Sequence, residues 1–268
     1  MMQSCNRIRA MFLRYLYLHK RSVSRTLEII FWPVMELFVW GFLSVYLKSV
    51  SNGVLAQSVL FLIGAMIFWD ILYRSQQGIS LSFVEDIWTQ NITNLFVSPL
   101  KIWEWIAATM LYSFLKIILI VLLLSLLALG LYHFNLISSL GFYLIPLVAN
   151  LFFFGWALGL FTSGLLIRWG HAVEALIWGI PFLVQPFSAI YYPLSILPRP
   201  LRMIAECLPS THVFEGMRQV MNRGEPPFFH LALALFLNGI YFFLCAFFFR
   251  LMYRRARETG RLGRLGMD

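Results

Sequence analysis

Long apolar stretches alternate along this chain with short polar breaks. A helix of about 20 apolar residues is long enough to cross the hydrocarbon layer of a membrane. Six stretches meet this requirement, and the chain contains no internal repeat and no long linker. We therefore predict an all-α integral membrane protein that forms one domain over residues 1–268. The predicted spans are about 27–47, 55–80, 105–131, 140–166, 172–190 and 228–249.

One polar stretch, residues 81–104, has a pattern of apolar residues that is not typical of a loop. Phe83, Ile87, Asn91 and Leu95 recur at helical spacing until the Ser98-Pro99 pair ends the pattern, because proline disfavours helical geometry in the residue before it. The pattern predicts a short cytoplasmic helix over 83–97.

A second unusual stretch, residues 191–225, is too polar to span a membrane and too apolar for an ordinary loop. It predicts two short helices half-buried in the outer leaflet, as a re-entrant pair. The second helix is expected to begin near Pro209, with Ser210 as its N-cap, and to end at Gly224. Glu215 and Arg218 are three residues apart and can form an ion pair on it.

The two ends of the chain are basic. Residues 1–26 mix arginine and lysine with apolar side chains, which favours an amphipathic helix lying on the inner leaflet; a disordered basic tail is the alternative. Residues 250–268 form a second basic segment. Basic residues flank spans on the cytoplasmic side, so we expect both termini in the cytoplasm and the protein in the cell inner (plasma) membrane.

Composition narrows the class of function. The chain is 60% hydrophobic and only 12% charged, whereas a soluble domain carries about 25% charged residues. Its net charge of +9 is concentrated at the ends, which indicates membrane orientation and argues against a nucleic-acid partner. The scattered histidines, cysteines and acids give no metal-binding spacing and no catalytic cluster.

Charges inside predicted spans are candidates for function because each costs about 2.5–3.5 kcal/mol at the centre of a membrane helix. Glu36 and Lys116 either face a conduit or hold spans together through an interhelical salt bridge. For Arg74 and Glu174, near the predicted inner surface, snorkelling or a structural pair is favoured. Trp40 is one of several aromatic residues that either line a path or form an interfacial belt.

Two stretches carry a resemblance to a known family: "YPLSILPRPLRMIAECLPSTHVFEGMR" (192–218) and "NLFVSPLKIWEW" (94–105). Together with the order of elements, they resemble the permease subunit of type-2 ABC exporters, which include glycan, nodulation-factor and multidrug exporters. The chain lacks the Leu-Gly-x-Leu-Trp motif that glycan exporters carry before span one, and this weakens a polysaccharide assignment in particular.

The resemblance implies that this chain forms the transport path and that a different chain hydrolyses ATP. The chain has no Gly-x-x-x-x-Gly-Lys-Ser/Thr loop to cradle ATP phosphates, so ATP and magnesium are expected in a partner ATPase and no cofactor in this chain. Two copies of the permease would assemble with two ATPase subunits in the lipid membrane. The resemblance makes 83–97 a coupling helix, which would contact the ATPase through Glu85, Asp86, Trp88 and Asn91; a helix that merely covers the spans is the alternative. It makes 191–225 an outer gate, with these residues: Tyr192, Pro193, His212, Glu215 and Arg218.

The cargo expected from this resemblance is a lipid, glycolipid, polysaccharide or hydrophobic drug. A membrane-embedded enzyme acting on lipid-linked substrates is one alternative, but such enzymes need clustered acids, histidines or a nucleophile. A secondary transporter is another, although it normally shows more spans and paired interrupted helices.

Overall fold

The computed structural model describes residues 2–50 and 56–260, and the described part is helical without strands. The predicted loop after span one and the predicted start of span two at 55 lie partly outside these ranges, as do Arg261 and Arg264 of the basic tail. Eleven α-helices are present in the described part: α1 Met2–Lys20, α2 Val23–Val50, α3 Ala56–Trp88, α4 Ile92–Val97, α5 Ile102–Tyr132, α6 Leu136–Leu140, α7 Leu144–Trp169, α8 Leu176–Val184, α9 Arg199–Glu206, α10 Pro209–Arg223 and α11 Phe228–Glu258.

Helix α3 forms the centre of the bundle and packs against α2, α5, α7, α8 and α10. Between residues 63 and 87, every side chain on it is buried except Tyr73, Gln77, Leu81 and Glu85. These four residues follow one another at intervals of four and therefore share one face of the helix. The other residues of α3 in this range are enclosed by protein.

Four helical segments in the described residues are long and apolar enough to cross a membrane: Ile29–Val50, Ile102–Tyr132, Leu136–Val173 and Phe228–Glu258. Three of them are mostly not covered by protein, with 22% of the apolar window of Ile29–Val50, 22% of that of α5 and 17% of that of α11 buried, whereas Leu136–Val173 is 56% buried. This outward apolar surface is typical of a multi-pass membrane protein. Helix α3 is polar in its second half, and Leu176–Phe187 is apolar but short, so the six-span layout stays a prediction.

The structure corrects three local predictions. The chain does not form one helix over 83–97: α3 continues to Trp88, because Phe83, Val84 and Ile87 are buried in the bundle. A turn with Gln90 at a φ of 52° then separates α3 from α4. Helix α1 is formed from Met2 onward, so the disordered-tail alternative is wrong.

The third correction concerns α10. The helix spans Pro209–Arg223 and ends at Gly224 in the left-handed conformation, as expected, but its N-cap is Leu208. The hydroxyl of Ser210, which was expected to cap the helix, shares a hydrogen bond of 2.7 Å with that of Ser188. Two short helices, α9 and α10, lie in this segment, and their re-entrant placement in the outer leaflet stays a prediction.

Glycines on α7 set its distance from α3. A Cβ at Gly155 would lie 2.4 Å from the Cβ of Ser75 and 2.7 Å from the carbonyl oxygen of Leu72. A Cβ at Gly159 would lie 2.8 Å from the carbonyl oxygen of Gln76. Small residues at such positions let membrane helices approach closely, so these two glycines allow the backbones of α3 and α7 to pack against each other.

Replacing Gly155 tests this contact. Gly155→Ala should destabilise the bundle by about 1–3 kcal/mol, the usual cost of overpacking, because the backbone of α3 cannot move aside alone. Gly239→Ala in α11 is the matched control, since nothing lies within 4 Å of its added Cβ. Thermal melting of the purified chain, followed by tryptophan fluorescence, should show a lowered midpoint for Gly155→Ala only. Equal midpoints for the two variants would contradict the close α3–α7 packing.

Candidate functional site

A cavity of about 640 Å³ opens between α2, α3, α5 and α8. The exposed stripe of α3 forms one wall of it, since Tyr73, Gln77, Leu81 and Glu85 all line it. Charged and aromatic side chains from the other helices complete the lining. We refer to this space as the central cavity, and the described residues that line it are His19, Ile29, Trp32, Met35, Glu36, Val39, Trp69, Tyr73, Arg74, Gln77, Leu81, Glu85, Lys116, Trp178 and Phe182.

The two predicted path residues with charge meet in this cavity. Glu36 on α2 is half-buried and lies within electrostatic range of Asp70 and Arg74. Lys116 on α5 lines the same space and acts on Asp70. Three helices thus bring charge to one place, although each charge is isolated in the sequence.

Trp40, the third predicted path residue, lies elsewhere. Its ring stacks on that of Tyr191, with centroids 4.2 Å apart and planes 17° apart. It is not among the residues that line the central cavity. Trp40 therefore joins α2 to the segment that follows α8.

An ion pair between Asp70 and Arg74 forms the polar wall of the cavity. The Nε of Arg74 lies 2.8 Å from each carboxylate oxygen of Asp70, and the side chains are only 7% and 2% exposed. Of the two structural interpretations given for Arg74, snorkelling and a structural pair, the structure shows a pair, with the partner one turn earlier on α3 itself. The acid-before-base spacing of four residues was the signal that could have found the pair.

A network that we call the latch fastens α1 to the ends of α3 and α5. The carboxylate of Asp86 accepts a hydrogen bond from Arg14 at 2.5 Å and from the hydroxyl of Tyr15 at 2.7 Å. That hydroxyl accepts from the indole of Trp105 at 2.9 Å. Burial, reinforced by the Asp86 carboxylate, raises the pKa of Tyr15 well above its usual value, so the hydroxyl stays protonated and can donate.

A second ion pair completes the latch. The guanidinium of Arg7 donates to both oxygens of Glu104, at 2.7 and 2.6 Å, and Glu104 is fully buried. The same carboxylate accepts the backbone N–H of Lys101 and so caps the start of α5. Paired charges of this kind fix geometry because removing one partner leaves the other buried without compensation.

The four predicted coupling residues lie close together but differ in exposure. Asp86 is 2% exposed and occupied by the latch, whereas Trp88 is 49% exposed and donates to Glu174 at 3.3 Å. Glu85, Asp86 and Asn91 also line a second cavity of about 200 Å³ beside α1. Asp86 is thus placed to hold α1, and Trp88 and Asn91 lie nearer the surface.

The five predicted gate residues form a network that we call the clasp, which ties α10 to the segment after α8. The carboxylate of Glu215 accepts from Arg218 at 2.6 Å and from the backbone N–H of Leu194 at 2.8 Å. Arg218 also donates to the carbonyl of Ala189 at 3.0 Å, where the chain turns with a φ of 52°. The predicted Glu215–Arg218 pair is therefore confirmed.

The other three gate residues extend the clasp. The hydroxyl of Tyr192 donates to the carbonyl of Pro186, and Pro193 precedes the short 3-10 turn Leu194–Ile196. A ring nitrogen of His212 lies 2.8 Å from the carbonyl oxygen of Glu206, which joins α10 to α9. The chemistry of this end is structural: carbonyls, a guanidinium and a carboxylate hold a folded-back segment together.

Comparison with protein-family models gives a match over residues 7–222 to the family described as ABC-2 type transporter. The matched range begins in α1 and ends in α10, so it contains the latch, the central cavity and the clasp. The resemblance identified in the sequence is confirmed by this match. No curated protein gives a significant match to the chain.

The latch makes a specific prediction. Asp86→Asn should loosen α1 at a cost of about 1–3 kcal/mol, because the guanidinium of Arg14 and the hydroxyl of Tyr15 lose their charged acceptor. Hydrogen exchange of the purified chain should show faster exchange of the α1 amides. Glu258→Gln, which breaks an exposed pair with Arg254, is the control and should leave α1 unchanged. Unaltered α1 protection in Asp86→Asn would refute the latch.

Proposed function

The chain belongs to the ABC-2 type transporter family and is a membrane transport subunit of an ABC transporter, and we propose that it forms the translocation path of an ATP-driven exporter as a homodimer. Two separate ABC ATPase subunits bind ATP and magnesium. The observation that carries the proposal is the central cavity, because charged groups from three apolar helices are retained there despite the cost of placing charge in a membrane.

The proposed membrane layout has six spans, with α2, α3, α5, α7, α8 and α11 crossing the bilayer and both termini in the cytoplasm. Helix α3 can cross despite its polar residues because the surrounding helices enclose it. Helix α8 has nine residues, too few to cross alone, since about 20 are needed. The clasp segment that follows would complete this span at the outer leaflet, with α9 and α10 as the re-entrant gate.

The latch gives α1 a mechanical role in this proposal. An ATPase that docks at the turn between α3 and α4 would move the end of α3, and the Asp86 network would make α1 and the start of α5 move with it. Both helices contribute to the lining of the central cavity, α1 through His19 and α5 through Lys116. When ATP binding closes the two ATPase subunits, the resulting movement of α3, α1 and α5 would thus change the charged wall of the cavity without repacking the core of the bundle.

Docking at this turn would use its exposed residues. Trp88 offers a half-exposed ring, and Asn91 offers an amide beside it. Glu85 adds negative charge next to them, and Asp86 contributes by positioning α1. The cargo class of the proposal stays broad: a lipid, glycolipid, polysaccharide or hydrophobic drug.

Co-expression of the chain with a candidate ABC ATPase subunit tests the proposal. The purified complex should contain two copies of each subunit, and proteoliposomes that hold it should move cargo only with ATP. Asn91→Arg should weaken ATPase association about tenfold, which corresponds to about 1.4 kcal/mol of interface free energy, because a bulky charge enters the docking turn.

Gln219→Arg in α10 is the matched control for that substitution, since it places the same side chain at the opposite end of the bundle. It should assemble and transport normally. Transport driven without ATP, or a chain that never retains the ATPase, would contradict the proposal. Equal ATPase retention in Asn91→Arg and Gln219→Arg would contradict the docking site alone.

A further inference from the structure

The central cavity has the size of a small-molecule site. Its volume of about 640 Å³ falls inside the range of about 300–1,000 Å³ that is usual for pockets holding a compact ligand. The cavity lies within one copy of the chain, between four of its own helices. It can therefore hold a compact molecule without a second subunit.

Aromatic rings form much of the cavity wall. Trp69, Tyr73 and Phe182 make a continuous run, with centroids 6.3 Å apart for the first pair and 5.7 Å for the second. Trp32 and Trp178 line the same space and are 62% and 40% exposed. Aromatic faces carry negative electrostatic potential and attract cations as well as apolar groups.

The charges at the cavity favour a positively charged ligand. Glu36 and Glu85 line it against Arg74 and Lys116 among the described residues, and the buried carboxylate of Asp70 lies behind Arg74 and binds it. The Nε of Arg74 donates its hydrogen bonds to the carboxylate of Asp70 and not to that of Glu36. Lys116 also acts on Asp70, so this buried carboxylate compensates the positive side of the cavity.

Glu36 is then the carboxylate placed among the rings. It comes from α2, one turn after Trp32, and it reaches the cavity that the aromatic run of α3 and α8 lines. A carboxylate beside aromatic faces in a partly dehydrated space is the arrangement that holds an organic cation. An anion there would face Glu36 and the negative faces of the rings.

We propose that the central cavity binds a compact amphiphile with a delocalised or quaternary cationic group, with Glu36 as its counter-charge and the aromatic run as its apolar wall. This inference rests on the proposed function, since it identifies the cargo class of the same cavity. It favours small cationic amphiphiles over glycan chains. Glu36 is the residue that sets the charge preference.

Tetraphenylphosphonium and tetraphenylborate test the charge preference, because the two ions share size and shape and differ in sign. The full chain in lipid nanodiscs should bind radiolabelled tetraphenylphosphonium saturably, above the uptake of empty nanodiscs, and tetraphenylborate more weakly. Glu36→Gln should weaken tetraphenylphosphonium binding about tenfold, the effect of one lost charge-assisted contact. Glu36→Asp should largely restore it.

Two further variants keep the test decisive. Glu206→Gln, which removes an exposed carboxylate paired with Arg202 on α9, should bind like the unchanged chain. Trp178→Ala removes an exposed ring and should weaken binding about threefold or more, as cation–π contacts of this kind contribute. The proposal would be overturned if Glu36→Gln and Trp178→Ala both bound tetraphenylphosphonium with wild-type affinity. It would also be overturned if the unchanged chain showed no saturable binding, or if it bound tetraphenylborate more tightly.

The measurement needs neither ATP nor the ATPase. Failure of ion binding would therefore leave ATP-driven export by this chain intact as a proposal, with another cargo class. If the chain instead failed to assemble with the ATPase but kept its Glu36-dependent, charge-selective binding, the proposed function would be wrong. The chain would then be a membrane protein that binds cations.

Discussion

Helix α3 carries buried polar groups through the centre of an apolar bundle, and most of them find hydrogen-bond partners on α3 itself or on the helices packed against it. Asp70 and Arg74 pair with each other along the helix. The amide of Gln76 donates to Thr162 of α7 at 3.1 Å, next to the glycines that allow α7 to approach. Polar groups without partners would cost several kcal/mol each in lipid. Between residues 63 and 87, one stripe of α3 is left uncovered, and this stripe forms a wall of the central cavity.

Charged side chains connect both ends of the bundle to this central helix, by an ion pair at one end and a cation–π contact at the other. At one end, Asp86 of α3 holds α1 through Arg14 and Tyr15. At the other end, Arg218 of the clasp lies over the ring of Phe61, near the start of α3, at 4.5 Å from the ring centroid. A shift of α3 would thus displace residues of the latch and of the clasp at the same time. This arrangement suits a subunit in which events at one membrane face change access at the other.

The sequence predicted the positions of the helices better than the tertiary contacts between their side chains. Hydrophobic length found α2, α5, α7 and α11, and turn residues found the end of α10 at Gly224, because these are local properties of the chain. The fusion of residues 83–88 with α3 was missed because the polar residues there suggested an exit from the bundle. Asp86 was read as a docking residue, since its buried partners Arg14 and Tyr15 lie about 70 positions away and no spacing rule connects them. Glu36 and Lys116 were found as costly charges, but their meeting at one cavity depends on tertiary packing.

Labelling of single cysteines on α3 measures most directly whether its uncovered stripe faces a water-filled cavity inside the membrane. In a background without Cys5, Cys207 and Cys245, Gln77→Cys should react with a charged, membrane-impermeant methanethiosulfonate in intact nanodiscs, and Glu36→Lys should change its rate. Ser80→Cys, one turn along on the fully buried side of α3, should stay unreactive. Equal reactivity at the two positions, or quenching of a probe at residue 77 by brominated lipid tails, would contradict a lipid-shielded central helix with one face open to the cavity.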